Sequence, residues 1–172
     1  MSMLVQVLAG RTTGILAVII LLAFLMPPAE ATNQTNIISG VTNIVSGYNL
    51  GYHDFLRIEG GGAVFDTQGL VQGGEAPPPY YPPRPTGGAT AIVTDPGSVW
   101  SNQTYINVGD EYPGNSLVIS NGGRVVSMFD GLVGDGGIPG IGGSNNSVVV
   151  TGTGSVWWVS NEMTIGQNGG GE

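Results

Sequence analysis

The chain contains no cysteine and no lysine, and only 9% of its 172 residues are charged. Without cysteine there is no disulfide scaffold, no thiolate metal site and no thiol nucleophile. Four basic residues face twelve acids, for a net charge of −8 and a pI near 4.2. No basic patch exists to neutralise phosphates, so a nucleic-acid partner is excluded. Disorder fits no better: hydrophobic residues make up 41% of the chain and Val and Ile are frequent, whereas disordered chains are poor in β-branched residues. What the chain has in quantity is glycine, 31 residues, with 11 prolines. The composition describes one sparsely charged, acidic, glycine-punctuated, β-rich domain.

Residues 1–31 read as an address. Arg11 ends a short leader, Gly14 to Met26 is an unbroken apolar run, and Pro27-Pro28 break any helix. Ala29-Glu30-Ala31 then supplies small residues at the −3 and −1 positions of a cleavage site. These are the three parts of a secretory signal peptide. As an uncleaved anchor, a helix over that run would reach only about 20 Å, short of the ~30 Å hydrocarbon core. The expectation is a signal helix, cleavage, and a mature chain starting at Thr32, with the signal as its only contact with a membrane.

After the signal one template recurs. Four segments, 54–73, 89–109, 115–134 and 146–166, align on the glycines Gly62, Gly97, Gly123 and Gly154. Six positions earlier stand Leu56, Ala91, Leu117 and Val148; four earlier, Ile58, Val93, Ile119 and Val150; two later, Val64, Val99, Val125 and Val156. A closing glycine follows eleven or twelve positions on, at Gly73, Gly109, Gly134 and Gly166. Upstream, Tyr48-Asn49-Leu50-Gly51 matches the end of a unit, so 32–53 is read as a degenerate N-terminal coil. The intervening stretches 74–88 and 135–145 vary in length and are read as inserted surface loops.

Apolar residues at these offsets share one parity and point one way along a strand. Each unit is expected to hold two short strands, 54–58 and 63–66 in the first copy. β-Branched residues and interrupting glycines argue against helix. One unit cannot bury its own apolar stripe, but units stacked at ~4.8 Å would turn each offset into an internal column. This predicts an all-β, right-handed parallel β-helix (solenoid) of about four to five coils. A hairpin sandwich would instead show two-residue turns and reversal of the pattern.

The segments NSLVISNGGRVV and NSVVVTGTGSVW, each followed by a Val-Gly or Ile-Gly step, resemble the repeat of type V secretion (autotransporter) passengers. Related repeats occur in surface proteins with a PEP-type C-terminal (PEP-CTERM) sorting signal. The resemblance covers about 43–172 and implies an exported β-helix displayed on the cell surface or released from it. No translocator barrel and no Pro-Glu-Pro motif follows. The sequence stops at Gly169-Gly170-Gly171-Glu172 with no capping stretch after Gly166, so the chain is expected to be a passenger fragment that associates end to end.

Candidate chemistry is sparse. His53 is the only histidine, and a triad would have to join it to Asp54 or Asp66, yet no nucleophile elbow is present. Glu59 and Asp95, one coil apart, form the best carboxylate pair for glycan cleavage. Asp110, Glu111, Asp130 and Asp135 suit calcium by type, but no ligand ladder accompanies them. Phe65, Trp100, Val126 and Trp157 share a column whose parity points it outward, where an aromatic row can bind sugars or a partner surface. Ala76–Pro85 (APPPYYPPRP) is a polyproline II stretch, and Asn33, Asn102 and Asn145 stand in N-x-S/T sequons.

No catalytic, cofactor-binding or metal residue is assigned, and no cofactor is expected. The reading is a non-enzymatic passenger, secreted or at the cell surface or outer membrane. It would act in display or adhesion toward a host cell, a neighbouring cell or a polysaccharide. The alternatives are a polysaccharide lyase or hydrolase of β-helix fold and a calcium-stabilised extracellular module.

Overall fold

The structure, a computed structural model, describes residues 34–75, 85–86, 88–110, 112–135 and 144–166. The signal segment 1–31, Asn33, residues 76–84 of the proline stretch, Glu111, most of the 135–145 loop and the tail after Gly166 lie outside the described residues.

The chain makes five passes, each laying down three strands. The first holds Thr35–Ser39 (β1), Thr42–Ile44 (β2) and Tyr48–Leu50 (β3). The second holds Phe55–Glu59 (β4), Ala63–Asp66 (β5) and Gly69–Val71 (β6). A two-residue antiparallel ladder, Gly74–Glu75 (β7) with Pro85–Thr86 (β8), closes the base of the insertion that follows. The third pass holds Thr90–Thr94 (β9), Val99–Asn102 (β10) and Ile106–Val108 (β11). The fourth holds Ser116–Ser120 (β12), Arg124–Ser127 (β13) and Gly131–Val133 (β14). The fifth holds Ser147–Thr151 (β15), Val156–Val159 (β16) and Met163–Ile165 (β17). Among the described residues there is no helix.

Strands of like position stack into three five-stranded parallel sheets: β1-β4-β9-β12-β15, β2-β5-β10-β13-β16 and β3-β6-β11-β14-β17. Every strand of these sheets therefore pairs with the strand one pass away and none with a neighbour in its own pass. This is the order a stacked template requires, and it excludes the hairpin alternative.

Three strands per pass, rather than two, is a correction. The third is three residues long and often starts on glycine (Gly69-Leu70-Val71, Gly131-Leu132-Val133), too short to display an alternation. In the first sheet the anticipated columns stand: Leu56, Ala91, Leu117 and Val148 are in register, as are Ile58, Val93, Ile119 and Val150. In the second sheet the register differs by one in the third and fifth passes. Val64 pairs with Trp100, Trp100 with Val125, and Val125 with Trp157. Val99 and Val156 thus point outward, and the two tryptophans point in.

The physical cause is turn length. Gly62 and Gly123 sit where a Cβ would lie 2.3 Å from the carbonyl oxygen of Ile38 or Val93 in the preceding pass, so only glycine fits. In the third and fifth passes the turn has one more residue. Gly97 and Gly154 occupy the extra, left-handed position (φ 87° and 81°), and Ser98 and Ser155 take the column place. Their hydroxyls then accept hydrogen bonds from the backbone N–H of Gly61 and Gly122 below, at 3.1 and 3.0 Å.

The corner leading into the first sheet is held by acceptors one pass away. Asp54 Oδ1 accepts from the Gln34 N–H, Asn115 Oδ1 from the Ala89 N–H and Asn146 Oδ1 from the Asn115 N–H, at 2.9, 3.2 and 2.8 Å. Asn115 and Ala89 are fully buried. Asn115→Ala leaves the Ala89 N–H without a partner, and urea titration should show a loss of about 2 kcal/mol. An unchanged midpoint would mean that the ladder is incidental.

Candidate functional site

The interior between the second and third sheets carries the most unusual chemistry. Asp66, Asn102 and Ser127 form one inward column and are buried, Asp66 being 3% exposed. Trp100 Nε1 donates to Asp66 Oδ2 at 3.0 Å, and Trp157 Nε1 donates to Ser127 Oγ at 3.2 Å. Each indole thus reaches down to an acceptor of the preceding pass. Each also lies over a glycine of that pass: a Cβ on Gly69 would stand 2.7 Å from Trp100 Cζ2, and one on Gly131 2.8 Å from Trp157 Cζ2. The glycine–indole pair recurs every second pass, so the stack carries a two-pass module inside the one-pass repeat.

Among the described residues, Asp66 Oδ1 and both amide atoms of Asn102 are buried with no hydrogen-bond partner. Burial pushes the Asp66 carboxyl up to about 7, against the opposing hydrogen bonds from the Trp100 indole and the Tyr48 backbone. The Tyr48 phenol is pushed up to about 12, chiefly by burial, with the Asp54 and Asp66 carboxylates adding. A carboxyl with so high a pKa would interest an enzymologist at a surface. Here the core encloses it, at 3% exposure.

The residues singled out beforehand do not assemble into a catalytic group. His53 is exposed and stacks on Tyr52 at 4.0 Å between ring centroids. Its neighbour Asp54 spends both oxygens on backbone, Oδ1 on Gln34 and Oδ2 on Gly51, while Asp66 is inside. Glu59 pairs with Arg57. Asp95, at φ 76°, accepts from the Gly60 N–H at 3.2 Å, so it stands over Gly60 rather than over Glu59. Asp130 Oδ1 accepts from Asn161 Nδ2 at 2.9 Å. Among the described residues no three His, Asp or Glu side chains gather as a metal site would require. Asn102, at one of the sequons, is fully buried, whereas Asn145 is exposed.

The outward aromatic row also needs correction. Trp100 and Trp157 are inside, and the column that faces out on the second sheet is Ile44, Phe65, Ser101, Val126 and Trp158. Ile44, Phe65 and Trp158 are 78%, 43% and 47% exposed. Beside it runs the outward column Thr42, Ala63, Val99, Arg124 and Val156. Asp66 is level with Asn102, Ser127 and Val159. The missing signal was present in the closing glycines. They follow Gly62 and Gly123 by eleven positions but Gly97 and Gly154 by twelve, which places the extra residue in alternate units.

No protein-family model, no curated protein and no solved structure matches the chain.

Proposed function

We propose that this chain is an exported, non-enzymatic passenger, a right-handed parallel β-helix working in surface display or adhesion. The observation that carries the reading is the in-register repetition of three sheets over five passes, which sets side chains in straight outward columns on an inert scaffold. Long repetitive scaffolds of this kind bind through extended faces rather than pockets. The carboxylates considered for catalysis or calcium supply further support, because Asp54, Asp66, Asp95 and Asp130 hold backbone or neighbouring side chains and Glu59 holds Arg57. The proposal includes end-to-end self-association through the outer edges of β15, β16 and β17, which no described strand pairs.

Expression of the full chain in a bacterial host tests the reading. Mass spectrometry of the exported fraction should give a mature chain beginning at Thr32, and surface proteolysis of intact cells should remove it. A cytoplasmic product that retains Met1 overturns export. Release of reducing ends from a pectin-like polymer by the purified protein overturns the non-enzymatic part.

A further inference from the structure

We infer that the outer face of the second sheet is a glycan-binding face, and that its occupant is a neutral polysaccharide chain lying along the stack. The inference deepens the adhesion reading and rests on it.

The three outer faces differ in chemistry. On the first sheet the outward strand centres are Ile37, Arg57, Ile92, Val118 and Val149, a column without an aromatic ring, flanked by hydroxyls that bond one another across passes, Ser120 Oγ to Thr94 Oγ1 at 3.0 Å and Ser147 Oγ to Ser116 Oγ at 3.4 Å. The charges on that face, Arg57 and Glu59, neutralise each other. On the third sheet, Asn107 has the outward parity, opposite to core residues Ile106 and Val108, yet it is only 3% exposed. The rest of that outward column, Asn49, Leu70, Leu132 and Thr164, is half-buried or exposed and carries no aromatic ring. The second sheet presents Ile44, Phe65, Val126 and Trp158 in one column, and Ala63, Val99 and Val156 in the next. Met128 and Phe129, both exposed, extend it past the end of β13. Among the described outer faces this one combines an apolar strip with exposed aromatic rings, Phe65, Phe129 and Trp158.

Size and charge select the occupant. Five strands at ~4.8 Å spacing and ~3.3 Å per residue give a strip of roughly 250 Å². Each partner in a stable protein complex buries about 800 Å², so the strip is too small to hold a second copy of the chain. The net charge of −8 repels acidic glycans and anionic lipid. A neutral sugar chain fits both limits. Phe65 and Trp158 stand three strands apart in the same column, about 14 Å, and the smaller Ser101 and Val126 between them leave a shallow trough. Aromatic rings at its two ends can stack on the C–H faces of pyranose rings. Arg124, the one charge in these two columns, is exposed beside Val126 and offers N–H donors to ring hydroxyls.

Native gel retardation of the full mature chain in hydroxyethylcellulose, laminarin or glucomannan tests this, with tryptophan emission as a second readout. Retardation by at least one of these neutral glucans is expected, together with a blue shift of the exposed Trp158. Phe65→Ala and Trp158→Ala should each weaken binding roughly tenfold, whereas Arg57→Ala, on the first sheet, should leave it unchanged. Both weakened variants should melt with the parent, because these side chains are half-exposed. No retardation by any of the three glucans, or retardation untouched by both aromatic variants, overturns the inference. So does a concentration-dependent dimer abolished by the same variants, or binding to phosphatidylcholine vesicles in place of glucan. Cell fractionation reads export independently: glucan binding by a chain that is not exported sinks the display reading, and an exported chain that ignores glucan sinks this one.

Discussion

Between pH 4 and pH 7 the protein should lose on the order of 4 kcal/mol of stability as the pH rises, and Asp66→Asn should abolish that slope. An aspartate in the unfolded chain releases its proton near its ordinary value of 3.8, whereas folded Asp66 holds it to about 7. Between those values the folded state binds more protons than the unfolded one. The stabilisation is therefore complete below pH 4 and is lost as pH climbs through 7. The neutral acid is tolerable inside: Oδ2 takes the Trp100 indole hydrogen bond, and a proton on Oδ1 removes the buried charge. Ionisation puts a charge where no cation reaches it. Asparagine keeps the shape and an acceptor for Trp100 but has no charge to form. Thermal unfolding at half-unit pH steps would show the parent falling away from the variant from about pH 4 and running parallel to it above about pH 7. Profiles parallel throughout would remove Asp66 as the cause.

Trp100→Ala should cost about 3–5 kcal/mol, measured by urea unfolding at pH 5. The side chain is fully buried, and its ring fills the space over Gly69 and meets Tyr48 edge-on at 6.2 Å between centroids. Removing it opens a cavity in the middle pass and takes from Asp66 its side-chain donor. Trp100→Phe separates these effects. It refills most of the volume but not the N–H, so it should recover much of the stability at pH 5 and fall behind at pH 7, where the carboxylate is left without its strongest partner. Had Trp100 faced solvent, as its position three residues after Gly97 first implied, neither change would exceed about 0.5 kcal/mol. The measurement therefore discriminates sharply between the two registers.

Much of the architecture was legible in the chain itself. Leu56, Ala91, Leu117 and Val148 recur at a constant offset because each fills the same interior place one strand higher, and a translated pattern leaves little room for any arrangement but stacking. The second sheet was misread at Val99 and Val156 for an equally physical reason. Parity carries information only within a continuous strand, and the turn before Ser98 and Ser155 resets it with one extra residue. The third strand was hidden because three residues cannot show a period. The buried polar column was hidden because aspartate and asparagine in a β-rich repeat look like turn residues until the fold turns them inward. On the surface, the same one-residue offset replaced Trp100 and Trp157 in the expected row by Ser101 and Trp158, while Phe65 and Val126 kept their places. The presence of such a row could be read from sequence, but which rings compose it could not.

One feature of the ladders bears on how such a body carries load. All the inter-strand hydrogen bonds of the three sheets run along the stacking direction, joining one pass to the next. A tether at one end and a tug at the other would pull straight along those bonds, loading one edge at a time instead of shearing many together. The body would part like a zip, each pass, 20 to 35 residues from a strand to its stacked counterpart, paying out roughly 70–120 Å of slack. A short bound object held at the far end would thus become a long, yielding leash before it let go.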